Sequence, residues 1–284
     1  MRRPLTTATT AAVVALLLVG PGGQSASAAT APAPTRATAR QSVGVVDIVA
    51  TLADGGQAAG TGMVVTSFGD VLTNNHVISG ALALTVTVVS TRRRYTATVL
   101  GYDSTHDVAL LHLTGATGLR TVSVSRAVAR VHQVVVGVGN AGGVGGRPFA
   151  AAGTVTARGR TIVAVDPGTG SSETLTGLLE TSARLAPGDS GGPLENAAGA
   201  VVGMDTAGAP SGRGPGYAIP IMKALAIVSA IRAGHGSATI HLGAPALLGV
   251  EVDLAGAATV LAVLPGSPAD RAGIAPGDVI TSPR

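Results

Sequence analysis

The 284-residue sequence contains no cysteine and no tryptophan. Without thiols there are no disulfides, no thiol nucleophile and no cysteine-based zinc site. Aromatic residues are 2% and charged residues 12%, against 46% hydrophobic, so the core has to be built mostly from Val, Ala, Leu and Ile. Neither sign of charge dominates, with 19 Lys+Arg against 15 Asp+Glu and a formal net charge of +4. The arginines are scattered except for Arg92, Arg93 and Arg94, and no aromatic platform lies beside them. Nucleic-acid binding is therefore not expected. No cluster of metal-ligating residues is apparent, so the expected metal is none. The expected cofactor is also none. The one Gly-x-Gly-x-x-Gly match, Gly137–Gly142, runs into "GVGGRP", which cannot open the helix that a pyrophosphate needs.

Long apolar runs are also missing. The longest, Ala11 to Val19, is short of the roughly 20 residues that span a bilayer. It follows Arg2 and Arg3 and precedes Ala26-Ser27-Ala28, the layout of a secretory signal peptide over residues 1–28. The expected location is secreted or extracytoplasmic, in the cell envelope, with membrane contact only through that segment if it stays uncleaved. Residues 29–42, rich in Ala, Pro and Thr without apolar periodicity, read as a flexible linker.

What is plentiful is glycine, at 41 residues, with 16 prolines. From Val43 these punctuate short β-branched runs: "VGVVDIVATL", "GTGMVVTS", "LALTVTVVS", "RYTATVLGY" and "DVALLHL", then "VHQVVVGVG", "AAGTVTARG", "TIVAVD", "GLLETSA" and "AAGAVVGMDT". Many short strands at this spacing indicate an all-β sandwich or barrels. A break near "LTGATGLRTVSVSRAVAR" divides them into two β-units of similar size. Ile219 to Gly234 has helical apolar spacing and ends on glycine, so a C-terminal helix closes a domain over residues 43–234. Residues 235–245 read as a second linker, and residues 246–284 as a separate small unit.

One segment concentrates the residues of a nucleophile loop: "LAPGDSGGPL", Leu185–Leu194. Taken alone it is also a plain surface turn. A serine nucleophile needs a base in hydrogen-bond reach and a group that orients the base. Among six histidines, only His76 in "VLTNNHVISGA" sits at the exit of an apolar strand with apolar residues behind it. Asp107 in "YDSTHDVALLHL" enters a buried strand, where a carboxylate requires a partner; an imidazole N–H would satisfy it and set the tautomer of the base. The competitor Asp103 lies in a polar turn and is expected to be solvated. The backbone N–H groups of Gly188 and Ser190 are placed to stabilise an oxyanion.

"TNNHVI", "DVALL" and "GDSGGPL", in this order, resemble the chymotrypsin-like serine proteases. "VVGMDTAG" and "GYAIPI" narrow the resemblance to the HtrA/DegP-like branch, and further to secreted actinobacterial members with a C-terminal PDZ domain. It covers about Val43 to Ile280. It implies two six-stranded β-barrels with the active site between them, His76 as general base, Asp107 as orienting carboxylate, Ser190 as nucleophile, and an oxyanion hole made by Gly188 and Ser190. It implies that Thr206, Ala207 and Gly208 line the strand that pairs with the substrate backbone, and that Arg184, Leu185 and Asp205 contribute to the pocket, with small or medium apolar side chains accepted there.

Two departures stand out. No "IVGG"-like start is present to pair with Asp189, so Asp189 is expected to be held by a loop cation such as Arg147 or Arg184, or by backbone N–H groups. "ALLGVEV" and "VLPGSPADRAGIAPGDVI" look like the first part of a PDZ domain, about half of which is present. A unit of about 40 residues is near the limit for independent folding, so weak order and poor binding of C-terminal peptides are expected. The function implied is a serine endopeptidase acting on unfolded or damaged polypeptides through an acyl-enzyme. The alternative is a protease-fold chaperone or binding protein with a latent or inactive site. HtrA-like proteases often trimerise through N-terminal aromatic contacts, and no aromatic residue precedes Phe68, which points to a monomer.

Overall fold

The computed structural model describes residues 12–13, 17–18, 31–52, 55–165, 172–208, 214–246, 248–253 and 258–281. Most of the expected signal peptide lies outside the described residues. Among the described residues no helix is long and apolar enough to cross a membrane.

Six strands form the first barrel: β1 (Val45–Leu52), β2 (Gln57–Val64), β3 (Asp70–Thr73), β4 (Ala81–Val88), β5 (Arg93–Asp103) and β6 (Val108–Leu113). They pair antiparallel in the order β2-β1-β4-β5-β6-β3, and β3 pairs back with β2 to close the ring. The second barrel comprises β7 (Val134–Gly139), β8 (Phe149–Val165), β9 (Ser172–Thr181), β10 (Pro193–Asn196), β11 (Val201–Ala207) and β12 (Gly216–Pro220). Its order is β7-β10-β11-β12-β9-β8, closed by pairing of β8 with β7. Closure leaves neither ring an open edge, so every inward-facing apolar side chain can be buried. "AAGTVTARG" and "TIVAV" of the following run belong to one strand, β8, bent by register shifts against β9.

Val46, Ile48, Val71, Val86, Leu111 and Leu113 fill the first barrel. A second cluster joins the barrels. Met63, Leu72, Val108 and Leu110 from the first meet Leu175, Leu178, Val201 and Met204 from the second. A four-residue helix, α1 (Asn75–Ile78), follows β3, and the longer helix α2 (Ile221–Arg232) lays Ile221, Ala224, Ile227, Val228 and Ile231 on this joint core. The expected helix thus begins two residues later than its apolar spacing suggests, because Ile219 and Pro220 still belong to β12.

Both stretches read as linkers are packed against the barrels where they are described. Thr35 and Arg36 pair with Phe149 and Ala150 of β8, Ala37 is fully buried, and the Arg36 guanidinium lies 3.9 Å from the centre of the Phe149 ring. Composition records the lack of periodicity there, but not a contact made more than a hundred residues away. Ile240–Leu242 adds as a strand, β13, to β5, where His241 stacks on Tyr102. Beyond it, β14 (Val250–Asp253) and β15 (Thr259–Val263) form a hairpin. This is followed by a helical turn, α3 (Pro268–Arg271), capped by the Ser267 side chain.

Candidate active site

The base candidate is delivered by the short path from β3 into α1. Gly60 in β2 makes room for this helix: a Cβ there would lie 2.7 Å from both γ-methyls of Val77. His76 is 4% exposed. Its Nδ1 lies 2.9 and 3.1 Å from the two carboxylate oxygens of Asp107, and its backbone N–H donates to Asp107 Oδ1 at 3.0 Å. Asp107 is completely buried and has φ of +54°, a left-handed backbone that Asp tolerates better than most residues. The turn from Ser104 to Asp107 closes through the Asp107 N–H to the Ser104 carbonyl, and Asn74 Nδ2 holds the Asp107 carbonyl at 2.9 Å. Asp103 is also buried, contrary to the expectation of a solvated turn residue, because His106 and Thr239 both donate to it.

The second barrel brings Ser190 to this pair. The Thr206 hydroxyl donates to Asp107 Oδ2, while the Thr206 carbonyl accepts from the Ser190 hydroxyl at 3.3 Å. Thr206 was expected only along a substrate-pairing strand. In the fold it bridges the carboxylate and the serine from one buried position.

Around the serine the backbone turns sharply. Gly188 has φ of +96°, and a Cβ there would lie 2.3 Å from the Asn140 carbonyl oxygen; at Gly191 a Cβ would lie 2.1 Å from the Thr61 carbonyl oxygen. Only glycine fits either position. Gly191 N–H donates to the Asp205 carbonyl and Gly192 N–H to that of Asp189, whereas the amides of Gly188 and Ser190 donate to no acceptor among the described residues. Two amides left open beside a nucleophile candidate are what an oxyanion hole requires.

Asp189 has no cation in ion-pair distance among the described residues, and Arg147 Nε donates instead to the Ala37 carbonyl. The backbone N–H of Ala186 holds Asp189 Oδ2 at 2.9 Å. Of the two expected ways of holding Asp189, the backbone one is present. Burial pushes its carboxyl up to about 7, against the lowering effect of the Ala186 and Ala141 amides.

The pocket residues divide. Leu185 is buried, with its side chain against Gly137 and Gly216, where a Cβ would come within 2.4 and 2.7 Å of it. Gly208 passes close to the Leu185 backbone, Ala207 pairs with Tyr217, and Arg184 is half-buried. Asp205 was read as a charged contributor to the pocket. Instead it is 1% exposed, and neither carboxyl oxygen has a hydrogen-bond partner among the described residues. Burial, then the neighbouring Asp189 and Glu195, hold its carboxyl well above the usual carboxylate range.

Sequence reasoning passed over Thr61, Thr73 and Asn74. All three are fully buried and hydrogen-bonded around the triad candidates. A threonine in a β-branched run reads only as a strand former.

This geometry agrees with comparison to known proteins. Residues 60–204 match the trypsin-like peptidase domain. The chain belongs to the trypsin-like peptidase family. Residues 259–282 match the PDZ domain. A probable periplasmic serine endoprotease, DegP-like, from Hahella chejuensis is 33% identical over 240 residues, covering 80% of this chain and 48% of the relative. The periplasmic serine endoprotease DegP of Escherichia coli K12 is 33% identical over 237 residues, covering 79% of this chain and 48% of the relative. The solved HtrA-type protease AlgW with a tripeptide superimposes with a TM-score of 0.59 at 29% identity, covering 86% of this chain and 82% of that one. These matches support placement with the HtrA/DegP homologues. The chain spans about half the length of the DegP relatives.

Proposed function

We propose that this protein is an extracytoplasmic serine endopeptidase that cleaves unfolded or damaged polypeptides through an acyl-enzyme on Ser190. The observation that carries the proposal is the junction at Thr206, which places the buried His76–Asp107 pair and Ser190 around one residue. In the proposed reaction His76 Nε2 takes the Ser190 proton as Oγ attacks the scissile carbonyl carbon, and Asp107 holds the imidazole tautomer and stabilises the imidazolium. The Gly188 and Ser190 N–H groups donate to the developing oxyanion. His76 then protonates the leaving amine as the C–N bond breaks. Water, deprotonated by His76, cleaves the ester and restores Ser190. The buried, apolar Leu185 beside the serine loop supports acceptance of small or medium apolar side chains. The periplasmic location of the DegP relatives and the export-like first 28 residues support the assignment outside the cytoplasm.

The test is labelling with a serine-reactive fluorophosphonate, comparing wild type with Ser190→Ala. Labelling of the wild type alone is the expected result. A folded wild type that stays unlabelled would contradict the endopeptidase reading and favour a binding protein with a latent site.

A further inference from the structure

A residue outside the triad candidates holds the serine loop on both sides of Asp189. Thr61 lies in β2 and is fully buried. Its backbone N–H donates to the Ser190 carbonyl at 2.9 Å. Its hydroxyl donates to the Gly188 carbonyl at 2.7 Å and accepts from the Asn140 N–H at 2.9 Å. Its own carbonyl accepts from the Thr73 hydroxyl at 2.7 Å, at the end of the strand that leads to His76. Every polar group of this residue is therefore engaged, and its four partners lie in the nucleophile loop, the segment after β7 and the approach to the base.

The consequence follows from peptide planarity. In a trans peptide the C=O and N–H point in opposite directions, so fixing one fixes the other. The Gly142 N–H holds the Pro187 carbonyl at 2.8 Å, which aims the Gly188 amide the opposite way. Asn140, two residues before Gly142, is the one bound to the Thr61 hydroxyl. The peptide on the other side of Gly188 is fixed by that same hydroxyl. Gly188, free to rotate as any glycine is, is thus clamped on both sides at φ of +96°. No cation fixes the loop through Asp189 among the described residues, so its orientation depends on neutral hydrogen bonds of this kind.

We propose that Thr61 is a positioning residue whose hydroxyl, from the opposite barrel, sets the direction of the Gly188 oxyanion amide beside Ser190. It touches no reacting atom, and the inference rests on the serine-peptidase reading above. Thr61→Val keeps the shape and removes the hydroxyl, leaving the Asn140 N–H and Gly188 carbonyl without their partner. Thr61→Ser keeps the hydroxyl.

The experiment measures, for the full chain, the second-order rate of fluorophosphonate labelling, kcat and KM on fluorescent casein, and the thermal midpoint. Losing one oxyanion donor costs about 10²–10³-fold in kcat. Labelling and kcat in Thr61→Val should fall by at least about tenfold, with KM unchanged, at temperatures well below its midpoint, while Thr61→Ser stays near wild type. If the Val variant does not fold, Thr61→Ala takes its place with the same expectation. Equal labelling rates in wild type and the hydroxyl-free variant would overturn the role of Thr61 and leave the peptidase reading standing. So would equal losses in the Val and Ser variants. Failure of the wild type to label would overturn both.

Discussion

Buried carboxyl groups occur on both sides of the candidate active site, and they live in different surroundings. Asp107, at the rim of the first barrel, is met by the His76 ring, the His76 backbone N–H and the Thr206 hydroxyl. In the second barrel the Asp205 carboxyl oxygens have no hydrogen-bond partner among the described residues, and the Asp189 carboxyl is held by backbone amides, with no cation in ion-pair distance among those residues. Burial is similar in all three, at 0%, 1% and 4% exposed. The difference lies in how many donors converge on each group. A carboxylate surrounded by donors is a fixed point for an imidazole. A carboxyl without them is a proton store, since a charge there has nothing to replace its water.

The largest expected effect tests the first side of this contrast. Asp107→Asn keeps the shape but replaces an acceptor oxygen with an amide, so the His76 tautomer is no longer enforced. A drop in kcat of about 10⁴-fold is expected from the behaviour of such triads, read by the rate of fluorophosphonate labelling in a protein whose thermal midpoint remains measurable. A change of less than tenfold would show that the donors around Asp107 serve the fold rather than the base.

The second side predicts a pH slope. Burial holds the Asp205 carboxyl well above the usual carboxylate range, and raises that of Asp189 from 3.8 to about 7. The folded protein therefore keeps protons that the unfolded chain releases. The stabilising contribution of each group is complete below its unfolded value and is lost as pH rises toward the folded one. For Asp189 that window runs from 3.8 to about 7. Asp205→Asn cannot ionise, so its thermal midpoint relative to wild type should climb steadily from pH 4 to pH 8, above any constant offset from the new amide. Parallel midpoint curves for variant and wild type would mean that Asp205 is ionised in the fold and has found a partner.

The smallest effect belongs to charges that water already satisfies. Arg160 Nε lies 2.9 Å from Glu180 Oε2, with the arginine side chain 53% exposed. Exposed pairs of this sort contribute about 0–1 kcal/mol. Arg160→Ala should move the thermal midpoint only slightly and leave labelling unchanged; a loss comparable to that of Asp107→Asn would put this pair into the machinery of the site.

Much of the site could be read along the chain because each triad candidate sits in a distinctive local setting. His76 stands at a strand exit, Asp107 opens a buried strand and Ser190 lies among glycines. The alternation of short β-branched runs with glycine turns likewise indicated two β-units. Thr61 and Thr206 were harder. Locally they look like any strand threonine, and their partners lie 127 and 99 residues away. Asp103 and Asp107 illustrate the same limit, since both are buried and each meets an imidazole, Asp107 that of His76 and Asp103 that of His106.

Strand pattern, turn chemistry and the three motif contexts are properties of a few neighbouring residues, so the order of amino acids alone was enough to indicate two β-units and the serine, histidine and aspartate candidates, while the closed barrels were implied only by the family resemblance. Which carboxyl groups have donors, which amides stay open, and that the Ala/Pro/Thr-rich segment before Val43 packs onto β8 depend on residues brought together across the chain. A hydrogen bond extends about 3 Å, and only the closing of the two barrels around their common core brings those groups within that distance.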